Sequence, residues 1–343
     1  MAEEIFISTK LVEVEQRSDL WREITRPLFD TVPAPDSRES HLEGSIRARP
    51  IGSLLTSWSA LSEQQYNRDR RIVLQSGLDG YYLIQLLTWG GVVGDFNDVD
   101  VSGSTGDIYI VDLAQTFQSR TREGSRINIL IPRQNLERAV NGRNLHGVLL
   151  KADWPITQLL MSYLTGLYAV GGQLPESQAE AAQEAVVMLL GSALKGEGAE
   201  SAADHSLLRT ALRQRIIHFI EQNINLPELS PEFIIRRFHI SRSHLYRIFS
   251  GDGGVARVLR DKRLDAAFLA LTSTGAPSLS IAEIAYKLGF SSGNQLLRAF
   301  RARFGMTPSE ARESAASTGN DRADHNLVAY YGGLRDKLPD LEG

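Results

Sequence analysis

The chain has 343 residues, 42% of them hydrophobic and 23% charged, enough for about two ordinary globular domains. It holds no cysteine, which excludes disulfide frameworks, cysteine-ligated zinc and thiol nucleophiles, and it has no long apolar run and no basic-then-apolar leader, so a cytoplasmic protein without membrane contact is expected. The net charge of -4 divides unevenly: residues 206–313 hold 16 Lys+Arg against 9 Asp+Glu, or +7, and the rest holds 21 against 32, or -11.

In chain order, Leu20, Trp21, Ile24 and Leu28 suggest a helix lying on the outside of whatever follows. GSLLTSWSAL (52–61), GYYLIQLLTW (80–89), GDIYIVDL (106–113) and RINILIPRQNL (126–136) then read as strands, with a bend at Gly106-Asp107 and a stop at Pro132. These predict a small β-barrel or sandwich over residues 1–150. From Trp154 the period becomes helical: Ile156, Leu159, Leu160, Tyr163, Leu164, Leu167 and Tyr168 share a stripe that Pro155 opens and Gly171-Gly172 ends. A second apolar helix runs from Pro175 to about Leu194. The two stripes suit either a core or a subunit interface, and residues 151–194 are assigned as a helical dimerisation segment. KGEGAESAADHS (195–206) has no periodicity and reads as a linker.

Beyond it the start signals are explicit. In SIAEIAYKLGFSSGNQLLRAFRARFG, Ser280 and Glu283 form a capping box, Ile281, Ile284, Ala285 and Leu288 give an inner face, and Gly289 permits the positive φ of a stop. Ser291 or Ser292 caps a second helix that buries Leu296, Ala299, Phe300 and Phe304 and turns Asn294, Gln295, Arg298 and Arg301 outward. Helix, glycine turn and helix with outward hydrogen-bonding groups is a helix-turn-helix. LSPEFIIRRFHISRSHLYRIFSGDGG repeats it: Ser230 and Pro231 start one helix, Ser241 caps the next, and Ser243, Tyr246 and Arg247 face out. The capping serines Ser241 and Ser292 are 51 residues apart, joined through DKRLDAAFLAL, so two readers on one chain can enter successive major grooves.

On RLDAAFLAL, SIAEIAYKLGFSS and RAFRARFGMTPSEAR, in that order and spacing, residues 212–313 resemble the DNA-binding domain of the AraC/XylS family of bacterial transcription regulators. GDIYIVDL and IPRQNL carry a weaker resemblance of the N-terminal part to AraC-binding-like, cupin-like sensor domains followed by dimerisation helices. The resemblance implies an α+β two-domain protein: sensor barrel over 1–150, helices over 151–194, linker 195–206, an all-α seven-helix double helix-turn-helix domain over 207–313, and a loose tail or short docking helix over 314–343. It implies double-stranded DNA, RNA polymerase and a small organic effector as partners, a homodimer, and transcription activation. It places base-facing positions at Ser243, Tyr246 and Arg247 and at Asn294, Gln295 and Arg298. Arginine suits guanine O6 and N7, and Asn or Gln suits adenine. Arg242 and Arg301 suit phosphates. Leu297, Gly293 and Gly253-Gly254 depart from the family pattern, the first where a small polar residue is common and the last where a serine or threonine cap is usual.

A catalytic cupin or a non-regulatory binding protein is the alternative. His41 is the only histidine before His146, so a histidine metal cage cannot be assembled from the strands, and no metal, cofactor or enzymatic activity is expected. Trp58, Tyr81, Tyr82 and Trp89 are aromatic candidates to stack on an effector, of which Trp58, Tyr82 and Trp89 are taken as its site, with Arg70, Arg71 or Gln85 orienting a polar end.

Overall fold

Among the described residues of the first 150, alternating apolar positions fold into twelve antiparallel strands in two sheets. In this computed structural model the described residues are 4–35, 41–140, 143–195, 203–226, 228–273, 279–318 and 327–338. Two compact units divide them: residues 1–199 with 324–343, and residues 200–323.

In the first unit the elements are β1 (Ile5–Ser8), α1 (Val14–Thr25), β2 (Asp30–Pro33), β3 (Gly44–Ile51), β4 (Leu54–Leu61), β5 (Gln64–Arg68) and α2 (Arg70–Gln75). Then come β6 (Tyr81–Trp89), β7 (Gly91–Asp95), β8 (Asp100–Ser104), β9 (Ile108–Asp112), β10 (Phe117–Thr121) and β11 (Gly124–Pro132). α3 (Arg133–Val140), β12 (Leu149–Leu150), α4 (Pro155–Val170) and α5 (Glu176–Lys195) follow. One sheet runs β1-β3-β4-β11-β6-β9-β12 and the other β2-β5-β10-β7-β8. Leu83, Leu87, Tyr109, Val111 and Leu130 of the first meet Tyr66, Val92, Val101 and Phe117 of the second in one core, the cupin-like interior.

The seven-stranded sheet is buried on both faces. Side chains alternate along a strand, so β11 sends Arg126, Asn128 and Leu130 inward and Ile127, Ile129 and Ile131 outward, where they meet Leu160, Leu164 and Leu167 of α4 and Val186 and Leu190 of α5. Covering that face takes up most of the two helical stripes, at ~1.5–3 kcal/mol for each Leu or Ile side chain buried. Leu159, Val170 and Met188, 62%, 48% and 66% exposed, are the large apolar side chains that the two helices leave outside among the described residues.

α1 packs on the barrel by the face its stripe predicted, with Leu20 and Leu28 partly buried against the core. Trp21 and Ile24 belong to the interior core, and the buried indole N–H of Trp21 donates to Gln64 Oε1 at 2.8 Å, which draws the helix inward. A second helix reaches the same core from the far end of the chain: Leu327, Tyr331 and Leu334 of Leu327–Arg335 are buried in it, and Tyr330 Oη donates to the Glu23 carbonyl at 2.6 Å.

The second unit contains α6 (Ala203–Gln222), α7 (Pro231–Phe238), α8 (Arg242–Ile248), α9 (Val255–Thr272), α10 (Ile281–Lys287), α11 (Gly293–Phe304) and α12 (Pro308–Thr318). The terminal helix Leu327–Arg335 is α13. Of the linker expected over 195–206, residues 196–202 lie outside the described residues, and α6 begins at Ala203. Ile216, Ile220, Ile234, Leu245, Phe249 and Leu259 fill one half of the unit, and Phe268, Phe300 and Phe304 stack in the other. α9 contributes to both halves. Gly253 and Gly254 before it have φ +74° and +96°, a backbone that serine or threonine adopts only with strain, which accounts for the missing cap.

Candidate nucleic-acid interface and sensor cavity

Side-chain caps set both helix-turn-helix motifs. Ser230 accepts from the Phe233 amide and Ser241 from the His244 amide, each at 3.2 Å, fixing the starts of α7 and α8. His239 takes the left-handed turn between them at φ +53°. In the second motif the Ser280–Glu283 box is complete, with amide-to-side-chain bonds of 2.7 and 3.2 Å, and these bonds to Ser280 hold the Glu283 carboxyl below the usual carboxylate range. Gly289 turns at φ +72° and Ser292 caps α11 through the Gln295 amide at 3.2 Å. Leu245, Ile248, Leu296, Phe300 and Phe304 are buried, which fixes the opposite faces as outward.

Those faces carry all eight DNA-contact candidates: Arg242, Ser243, Tyr246 and Arg247 on α8, and Asn294, Gln295, Arg298 and Arg301 on α11, are exposed. Leu297 stands among the latter at 38% exposure. Arg303 is bound to Asp261 and Asp265 and Arg213 to Asp252 at 2.7–3.1 Å, whereas Arg242, Arg247, Arg298 and Arg301 make no ion pair within 4 Å among the described residues. Arg242 lies over the Tyr246 ring at 5.5 Å. Gln295 is partly committed: its Oε1 accepts from the Ser291 amide at 2.7 Å and hydroxyl at 3.0 Å. Arg263 of α9 ties the motifs together by donating to the Leu229 carbonyl at 2.9 Å while its guanidinium rests on Gly289. Its charge is half-buried, and desolvation lowers its pKa.

In the sensor unit a cavity of about 60 Å³ opens between the sheets. Three strands supply a polar band: Asn128 of β11 pairs in register with Ser57 of β4 and Gln85 of β6, and Arg126 with Ser59 and Leu87. Gln85 Nε2 donates to Asn128 Oδ1 at 2.6 Å, and Asn128 Nδ2 donates to Ser57 and Ser59 at 3.2 and 3.1 Å. α1 and α13 contribute Trp21, Ile24, Leu327 and Tyr331 to the lining. Trp58, Tyr82 and Trp89 are not brought together and none lines the cavity: Trp58 and Tyr82 belong to the outer face under the helices, and Trp89 is 56% exposed. Tyr82 is held there by Arg133, which donates to its hydroxyl at 2.8 Å. Of the effector candidates, Gln85 alone lines the space. His146 is used structurally: Nδ1 accepts from the Asp112 amide and Nε2 faces the Thr116 carbonyl, both at 3.1 Å.

A β-rich unit and a module of two capped helix-turn-helices with exposed arginines on both reader faces define a DNA-binding transcription regulator. The chain belongs to the AraC/XylS family of bacterial transcription regulators: residues 21–195 match the AraC-binding-like domain and residues 234–314 the helix-turn-helix domain of that family. Its structure resembles that of the AraC-like transcriptional activator CuxR, 20% identical over 77% of this chain and 95% of that one, with a TM-score of 0.52. An AraC-type DNA-binding regulator from Chromobacterium violaceum is 30% identical over 31% of this chain and 93% of its own, with a TM-score of 0.28. ToxT from Vibrio cholerae O395 is 13% identical over 68% and 88%, with a TM-score of 0.38. No helix of the described residues is long and apolar enough to cross a membrane.

Proposed function

We propose that the protein is a cytoplasmic, homodimeric transcription activator whose DNA affinity or polymerase contact responds to a small organic molecule held in the sensor barrel. The observation that supports the reading is that Arg242, Arg247, Arg298 and Arg301 stand exposed on the two reader faces without an ion pair among the described residues, whereas Arg213 and Arg303 are bound to Asp252, Asp261 and Asp265. Arg247 and Arg298 take guanine O6 and N7, each worth ~1–3 kcal/mol of discrimination. Asn294 pairs with adenine, Ser243 and Tyr246 contact neighbouring base edges, and Arg242 and Arg301 hold phosphates. Gln295, whose carbonyl oxygen is engaged by Ser291, keeps only its amide donors for the groove. Gene activation follows from contact with RNA polymerase, the usual action of the family the sequence resembles.

The dimer forms through the outer sides of α4 and α5. Leu190 is fully buried in the core, so Leu159 and Met188 carry the contact. Footprinting with the full-length protein on DNA upstream of its target tests the function. Protection of a defined sequence of about two helical turns per monomer is expected; protection independent of sequence would overturn the regulator reading. Sedimentation of Leu159→Glu and Met188→Glu proteins should give folded monomers.

A further inference from the structure

We propose that α13 is a releasable strap: docked on the barrel, it ties the far end of the DNA-binding module back to the first unit, and by letting go it frees that end. The proposal goes beyond the regulator reading above, and its measurements involve neither DNA nor an effector.

In sequence, the whole helical unit, residues 200–323, is inserted between α5 and α13, although α13 belongs to the first unit. With α13 docked, both ends of that insert are anchored to one body; with α13 released, only the end at α5 remains. A segment held at both ends has fewer conformations open to it than one held at a single end. The docked fraction therefore sets how freely α8 and α11 can turn toward a duplex. The dock itself is specific. α13 packs against β3 and against β1, the edge of the seven-stranded sheet. Leu327, Tyr331 and Leu334, at i, i+4 and i+7, enter the core, and Tyr330 Oη donates to the Glu23 carbonyl of α1 at 2.6 Å.

The sequence of α13 loosens this dock. The helix has 9 residues, and isolated helices shorter than ~12–15 residues are marginal in water, so it forms only as it docks. Within it stand Gly332 and Gly333. Neither has a positive φ, and nothing lies within 4 Å of where a Cβ would stand at either one, so no turn and no close approach calls for glycine. Gly289 in the second helix-turn-helix has both reasons, a φ of +72° and Arg263 against it. What the adjacent pair does supply is poor helix propensity, which lowers the docking equilibrium about four- to fivefold per glycine relative to alanine. Three buried apolar side chains hold α13 in place while two glycines oppose them, a balance that permits opening of this one element short of global unfolding.

Hydrogen exchange on the full-length protein tests the release. Amides of α13 should exchange at least tenfold faster than those of β6 and β11, and Gly332→Ala combined with Gly333→Ala should slow α13 about twentyfold while leaving both strands unchanged. Exchange of α13 in step with the strands, or equal slowing of all three, would overturn the proposal. A second measurement follows the module through a dye on Glu228→Cys, an exposed position in a chain that has no other cysteine. Time-resolved anisotropy should show freer rotation of the module when Leu327→Glu and Leu334→Glu release the helix in the full chain. A free peptide of residues 324–343 should then refill the dock and restore the melting temperature, yet leave the module as free as before, because the peptide is not joined to it. Unchanged rotation in the released variant, or a peptide that restores the restriction, would contradict a strap. Should that variant need the peptide to fold, the peptide-bound variant is compared with the parent, and equal rotation of the two again overturns the proposal.

Discussion

The guanidinium of Arg263 rests on the backbone of Gly289, so close that a Cβ at the glycine would stand 2.8 Å from the arginine Cζ. The same guanidinium donates to the Leu229 carbonyl at the entrance to the first helix-turn-helix, so one side chain sets the spacing between the two readers. Gly289→Ala forces a side chain into φ +72° and displaces Arg263 together. It should destabilise the helical unit by about 2 kcal/mol or more, the left-handed backbone alone costing ~1–2 kcal/mol, and lower specific DNA affinity. Gly293→Ala meets only Ala282 Cα at 3.9 Å and has no positive φ, so it should stabilise the unit by ~0.4–1 kcal/mol. Urea denaturation of both variants checks the opposite signs.

Arg247 and Arg301 are both exposed on reader helices but should fail differently when truncated. Arg247→Ala should relax preference at one base pair, by ~1–3 kcal/mol, with little effect on non-specific binding. Arg301→Ala should weaken all sequences alike and reduce the salt slope by about one. A panel of single-base operator variants separates the two, and a uniform loss for Arg247→Ala would remove it from the readers.

His146 couples sensor stability to pH. Burial against Phe96 and Phe117 lowers its pKa, opposed by Asp112, the Thr116 carbonyl and Asp95, with Arg68 adding to the lowering. Because the folded state holds the ring neutral, stability is fully present above the ordinary histidine value of about 6.5 and is lost as pH falls below it, by at most ~1.4 kcal/mol per pH unit. Melting of the protein between neutral and mildly acidic pH should show this slope, and His146→Gln should flatten it.

Tyr331 is 2% exposed and fills the barrel core from α13. Tyr331→Ala should destabilise the sensor unit by ~3–5 kcal/mol, the cost of emptying a large aromatic site. DNA binding by the helical unit should persist at temperatures where the sensor has melted, which two-probe thermal denaturation can follow.

The helix-turn-helix motifs were legible because their signals are local: Ser230, Ser241, Ser280 and Ser292 cap within three residues of themselves, and Gly289 declares its own turn. The cavity was not, because alternation tells which residues share a face and not which face is inside. Trp58 shares a face with Ile127, and only α4 and α5, contributed later in the chain, make that face a second core. Arg126 and Asn128 look solvent-facing in RINILIP for the same reason, although a strand with Arg and Asn beside one Leu on one face and all isoleucine on the other is a signal of two different surroundings. α13 returns to β1 and α1 from the far end of the sequence, a contact that no local pattern announces.

Selection of binding sites from a random duplex pool by the full-length protein tests the central claim most directly, followed by a salt titration on the enriched sequence. Two reader helices predict two conserved blocks of bases separated by one helical turn, about 10 base pairs. With about six phosphate contacts, log K should fall against log[salt] with a slope of about -5. A pool that enriches no sequence, while the protein still binds DNA with that salt slope, would contradict sequence-specific reading by α8 and α11.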